Sequence, residues 1–117
     1  MSNTSLAAVF HESGAPLTLE TYQLPRLGPG EVLVRITCAT ICGSDVHTFL
    51  GHRSTPVPTI LGHEIMGVVE ALDPNQPACD YTGRPLAIGD RVTWSIASSC
   101  GHCFFCAHEV PQKCESL

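Results

Sequence analysis

Charge is scarce in this chain: of its 117 residues only 15% are Asp, Glu, Lys or Arg, against roughly a quarter in an average globular protein. The six basic residues (Arg26, Arg35, Arg53, Arg84, Arg91 and Lys113) are scattered and the net charge is -5, which excludes a nucleic-acid surface. No apolar run approaches the length of a membrane span, so no membrane association is expected. Lys and Arg are absent ahead of Arg26, and the opening MSNTSLAAVF holds only a short apolar run. Both parts of a secretory signal are therefore missing, and a cytoplasmic location is expected. Internal repeats, low-complexity tracts and sustained helical periodicity are also lacking, which leaves a strand-dominated barrel or sandwich as the economical architecture. With 44% hydrophobic residues and a mean hydropathy of +0.15, residues 1–117 read as one compact domain.

Punctuation, by contrast, is plentiful, with Gly 10 and Pro 9. LAAVFH and LTLETYQL flank the turn signal Ser13-Gly14-Ala15-Pro16 and predict a hairpin. EVLVRITCATI, after the Gly28-Pro29-Gly30 turn, is β-branched and alternating, the clearest strand in the chain. DVHTFL predicts one or two helical turns capped by Ser44 or Asp45 and ended by Gly51. EIMGVVEAL predicts a second core strand with Gly67 at a bulge, residues 73–89 a surface excursion, and DRVTWS a last strand. Trp94, Phe49, Phe104 and Phe105 are read as packing residues. Cys38, on a core strand, and Cys79, in the surface loop, are assigned no function.

Cysteine is abundant, with seven residues, and the lack of a signal peptide favours metal ligation over disulfides. Cys100, Cys103, Cys106 and Cys114 crowd into the lobe 98–117 with CxxCxxC spacing and a fourth cysteine after seven more residues. Four thiolates so close can surround a tetrahedral ion, and zinc suits them. An iron-sulfur cluster is the rival, but the ferredoxin pattern continues with three residues, Cys and Pro, where this chain has seven and then Cys114-Glu115. His102 and His108 are read as exposed loop residues. A second constellation joins Cys42-Gly43-Ser44-Asp45 to Gly62-His63-Glu64. Neither half is specific alone, and HEIMG lacks the second histidine of the HExxH zinc-protease pattern. Their joint appearance upstream of a four-cysteine lobe sets them apart.

The strings CGSDVHTFLGHRSTPVPTILGHEIMGVV, GDRV and CGHCFFCAHEVPQKC, in this order and spacing, closely resemble the amino-terminal catalytic domain of the zinc-dependent medium-chain alcohol dehydrogenases. The resemblance implies a mainly β GroES-like barrel with short helices and a zinc-binding lobe. It implies that Cys42 and His63 ligate a catalytic zinc, with Glu64 a neighbouring carboxylate able to approach or exchange at the metal, and that Cys100, Cys103, Cys106 and Cys114 hold a structural zinc. Asp45 becomes the outer partner that fixes the imidazole of His63. Ser44 and His47 become the catalytic proton path from the alcohol to solvent; a plain helix cap and an exposed helical histidine are their rival readings. Ile96 falls near the position where the family lines its substrate pocket. An open zinc position favours loss of the hydroxyl proton, after which hydride can leave the carbon.

The family also carries a dinucleotide-binding domain, and Gly28-Pro29-Gly30 has neither the third glycine nor the helix of that fingerprint. The expectation is therefore an incomplete GroES-like domain: the leading part of an NAD(P)-dependent dehydrogenase that oxidises an alcohol or polyol, with NAD(P) and the third catalytic-zinc ligand supplied beyond Leu117. The parent is expected to be a homodimer or homotetramer, and the chain alone inactive, with an unpaired sheet edge and exposed apolar surface. A free-standing zinc-binding structural or interaction module is the alternative. For substrate, the run VHTFLGHRSTPVPTILGHE with VPQKC looks most like the branch associated with phosphonate breakdown, while threonine and polyol dehydrogenases share much of the pattern.

Overall fold

The structure, a computed structural model, describes residues 3–117. Strands β1 (Thr4–Val9) and β2 (Thr18–Gln23) form the expected antiparallel hairpin, in register from Thr4↔Gln23 to Val9↔Thr18. Strands β3 (Val32–Thr40), β4 (Glu64–Leu72) and β5 (Arg91–Thr93) form a second antiparallel sheet in the order β3-β4-β5. Helix α1 (Gly43–Phe49) fills the connection between β3 and β4, and α2 (Phe104–Ala107) with a single 3-10 turn (Pro111–Lys113) shapes the cysteine lobe. The result is mainly β with short helices, as the family resemblance implied.

Glycine 67 works differently from the expected bulge. Ile36 pairs with Gly67 and Cys38 with Met66, so the extra residue is Thr37 on β3; Leu33 pairs with Ala71 and Val34 with Val69, so the second is Glu70 on β4. Gly67 instead permits close approach of the two strands: a Cβ there would lie 2.3 Å from Val34 Cγ1 and 2.7 Å from the Arg35 carbonyl oxygen. The helix cap differs too. Cys42, extended at φ -104, caps α1 by accepting the Ser44 amide at Sγ, and Asp45 is the third helical residue whose carboxylate takes the Cys42 amide. This is a capping box with sulfur in the place usually held by a hydroxyl.

The core is small. Val9 and Val69 are its fully buried side chains, joined by Phe10 and Cys114. Phe10 exchanges backbone hydrogen bonds with Thr59 (2.8 and 3.0 Å) and its ring meets Phe49 at 6.3 Å, which ties the hairpin to the loop before β4 and to α1. Other expected packing residues are not packed: Trp94 is 45% exposed and Phe104 63%, the latter's ring meeting Phe105 and His108 in its own lobe. Cys38 is exposed because the far end of β3 has no sheet across its face among the described residues. Ile36, Ile41, Ile88 and Ile96 are exposed likewise, the apolar surface that was anticipated.

On the hairpin, Glu20 accepts hydrogen bonds from Thr18 and Tyr22 and pairs with His11. The Thr18 hydroxyl first, then His11 and Tyr22, pull its carboxyl down to about 2, and the same contact raises Tyr22. A depressed folded value stabilises the protein above the ordinary carboxylate range and is lost as pH falls toward 2. Thermal melts of wild type and Glu20→Gln should therefore differ at pH 5 and converge as acid is added; a constant difference would disprove the role. Gly67→Ala should destabilise by about 1–3 kcal/mol, the usual effect of overpacking, measured by urea unfolding.

Candidate functional site

The β3–β4 ladder ends at the pair Thr40↔Glu64. Cys42 lies two residues beyond that rung on one side and His63 one residue before it on the other, so a single antiparallel register delivers both to the same place. Cys42 Sγ is 3.4 Å from His63 Nε2, and one oxygen of Glu64 joins them within 4.8 Å. Tetrahedral zinc with sulfur at about 2.3 Å and nitrogen at about 2.0–2.1 Å requires an edge of roughly 3.5 Å between them, so this donor pair fits the ion. Glu64 accepts a 2.6 Å hydrogen bond from the Thr40 hydroxyl, which holds its carboxylate at the ladder end.

Asp45 is the buried member of this group. Its Oδ2 accepts the Cys42 amide at 3.0 Å and its Oδ1 the Gly62 amide at 3.1 Å. One carboxylate thus clasps the two backbone segments that carry the ligands. His63 Nδ1 stands 3.6 Å from Oδ1, an ionic approach longer than a hydrogen bond. Ser44 Oγ sits 3.0 Å from Cys42 Sγ, and buried Thr48 donates to the Ser44 carbonyl at 3.0 Å. His47, exposed, faces His52 with Nδ1 atoms 3.4 Å apart, a contact fixed by the His52 amide on the His47 carbonyl at 2.9 Å. His52 was missed in the sequence because it lies beyond the helix-ending Gly51 and its return is set by turn geometry.

A groove of about 580 Å³ opens beside the group, lined by His63 and Glu64 with Cys38, Met66, Trp94 and Ile96. Ile96 therefore stands where a pocket wall was expected, and Trp94 and Cys38 join it unforeseen.

In the lobe, the sulfurs of Cys100, Cys103, Cys106 and Cys114 all lie within 4.8 Å of one another, with Cys100 and Cys106 3.9 Å apart. Zinc with four sulfurs at about 2.3 Å requires edges of about 3.8 Å. Gly101, at φ 78, makes the tight turn between the first two cysteines that a side chain would strain. Amide hydrogens converge on the sulfurs: those of Cys106 and Glu115 draw the Cys103 thiol down to about 6, and those of Cys100 and Ser116 lower Cys114. Cys106 is instead pushed up to about 11, chiefly by burial. Such amide donors favour thiolates, the form that binds metal. His102 and His108 turn their Nδ1 atoms to the Cys100 and Phe104 carbonyls at 2.8 and 2.7 Å, away from the sulfur cluster, as loop residues do.

Residues 28–117 match the alcohol dehydrogenase GroES-like domain family. An alcohol dehydrogenase of Geobacillus stearothermophilus is 36% identical over 115 residues, covering 93% of this chain and 31% of that protein. The crystal structure of an alcohol dehydrogenase from Thermotoga maritima superposes with a TM-score of 0.84 at 34% identity, over 96% of this chain and 31% of that one. The RspB alcohol dehydrogenase of Escherichia coli, solved with NADH, gives a TM-score of 0.77 at 29% identity, over 97% of this chain and 31% of that one. The chain thus spans about a third of the length of these relatives. With the matched domain, a mainly β GroES-like fold and two zinc-compatible donor groups, the chain belongs to the zinc-dependent medium-chain alcohol dehydrogenases, of which it carries the GroES-like domain.

Proposed function

We propose that these residues form the zinc-binding catalytic-domain portion of an NAD(P)-dependent dehydrogenase that oxidises an alcohol or polyol to an aldehyde or ketone by hydride transfer. The observation that carries the reading is the 3.4 Å approach of Cys42 Sγ to His63 Nε2, at the end of one strand pair and at the mouth of a groove. Cys42 and His63 would hold the catalytic ion, with Glu64 the neighbouring carboxylate able to approach or exchange at it; Cys100, Cys103, Cys106 and Cys114 would hold the structural one. When bound, the catalytic zinc supplies a positive charge that favours loss of the alcohol proton.

The chain's own groups handle that proton and the geometry. Ser44 places a hydroxyl beside Cys42, able to accept the proton at Oγ while passing its own onward. His47 receives it nearer solvent, its ring set against His52. Asp45 keeps the two ligand loops in register and its charge beside the His63 ring. Trp94 and Ile96 give the groove apolar lining beside His63. The dinucleotide is held by a part of the protein outside these residues, and the working enzyme is a cytoplasmic homodimer or homotetramer.

Two outcomes test the metal assignment. Purified chain should retain one tightly held zinc, measured by elemental analysis, and Cys114→Ser should lose it together with the order of the lobe; a fully folded protein with no retained metal would falsify the structural site. Cobalt added to the zinc-loaded chain should enter a second, weaker site whose thiolate absorption vanishes in Cys42→Ala. In Asp45→Asn, cobalt affinity at that site should drop by about 10–100-fold, the usual effect of losing an outer partner of a metal ligand; unchanged affinity would show that the clasp does not tune the site.

A further inference from the structure

A second, smaller cleft of about 170 Å³ shares His63 and Ile96 with the groove, and Ser44, Asp45, Arg53, Thr55 and Thr59 give it a mainly polar lining beside Ile60 and Leu61. Arg53 is exposed and, like Arg26, Arg91 and Lys113, is in no ion pair among the described residues; what sets it apart is that it is the Lys or Arg side chain that lines this cleft. Asp45 is not its counter-ion, because both carboxylate oxygens are committed to the Cys42 and Gly62 amides and to the side facing His63. The loop that carries Arg53 is anchored at both ends: His52 bonds the end of α1, and Thr59 bonds Phe10 twice. Its backbone is thereby held in position beside the metal-ligating histidine.

An unpaired guanidinium beside a site built for a divalent cation is repelled by that cation when the site is filled, and an anion shared between them relieves the repulsion. Guanidinium meets carboxylate or phosphoryl oxygens with two parallel hydrogen bonds, and neighbouring hydroxyls can donate to the remaining oxygens. We propose that Arg53 sets the substrate class of this site: an alcohol that carries an anionic group, carboxylate or phosphoryl, with the anion seated on Arg53 and the Thr55 and Thr59 hydroxyls. The proposal rests on the dehydrogenase reading of the site and adds the charge of its substrate.

Two measurements separate the proposal from that reading. In the zinc-loaded chain, the Arg53 Nε–H resonance should shift saturably with 3-hydroxybutyrate, glycerol 3-phosphate, or both, the stronger responder identifying carboxylate or phosphoryl as the anion. The neutral counterparts 1,3-butanediol and glycerol should leave it in place. Anion shifts no larger than those of the neutral alcohols overturn the proposal. In the protein expressed from its complete reading frame, Arg53→Gln should lower the ratio of kcat/KM for the anionic alcohol to that for its neutral counterpart by about 10- to 100-fold, the size expected for hydrogen bonds to a charged group, with Arg53→Lys intermediate. An unchanged ratio with a raised KM for the dinucleotide overturns it and assigns Arg53 to the cofactor's phosphates. A protein that oxidises neutral alcohols and rejects anionic ones also overturns it while leaving the dehydrogenase reading intact. A saturable Arg53 shift in a protein that oxidises no alcohol supports the anion site and removes that reading instead.

Discussion

The register of β3 against β4 is the constraint on which the rest depends. Antiparallel pairing brings together residues far apart in sequence, and here the last rung, Thr40↔Glu64, brings Cys42 and His63 within reach of each other across 21 positions. A slip by one residue would turn alternate side chains to the opposite face and move the two ligands out of step. Two irregularities guard the register. The extra residues Thr37 and Glu70 interrupt an otherwise uniform ladder, and Gly67, pressed against Val34 and Arg35, admits no side chain and so marks one alignment of the strands.

Holding the strands in register does not by itself hold the loops beyond them, and that task falls to Asp45. A buried carboxylate is unfavourable unless its oxygens are fully engaged. Here the engagement is what makes it useful, because the amides it takes belong to Cys42 and to Gly62, the residue before His63. The burial penalty and the site geometry therefore rise and fall together: a displacement of either loop strips the carboxylate of a donor. Thr48, the other buried polar side chain, does the same one turn later by tying its hydroxyl to the Ser44 carbonyl. The helix is too short to persist on its own propensity, and these side-chain bonds, with the Cys42 cap, define where it starts.

What could be read in the sequence divides along the same line between local and long-range causes. The cysteine lobe was legible from spacing, since its four ligands lie on one short stretch and need only a turn at Gly101 and a single helical turn to converge. The strands were legible from β-branched alternation, with EIMGVVEAL matching β4 residue for residue. The Cys42 and His63 pair was not legible from spacing, because nothing in either motif states the register that joins them; the family resemblance supplied it. The cap was misassigned because sulfur is seldom counted among capping acceptors, and the bulge because a glycine in a strand marks close approach as readily as an inserted residue. Trp94, Phe104 and Cys38 were placed inside on side-chain type alone, but burial is a property of the partner surface, and that surface is absent from the described residues around them.

The two metal groups differ in the way their chemistry requires. In the lobe four sulfurs could close a shell by themselves, and amide hydrogens lower Cys103 and Cys114 while burial raises Cys106. The sulfurs, amides and turn all come from residues 100–116, so metal binding there would be coupled to the order of the lobe. The group at the ladder end has three donors of unequal kind, one of them an exposed carboxylate already bonded to Thr40. It depends on distant strands and a buried clasp, so its geometry is held from outside the group itself. A closed local shell suits a site that only has to hold, and an open one on a rigid sheet suits a site that must exchange what it binds. Arg53 and Trp94 line the two clefts that meet at His63, beside the group that depends on the strands.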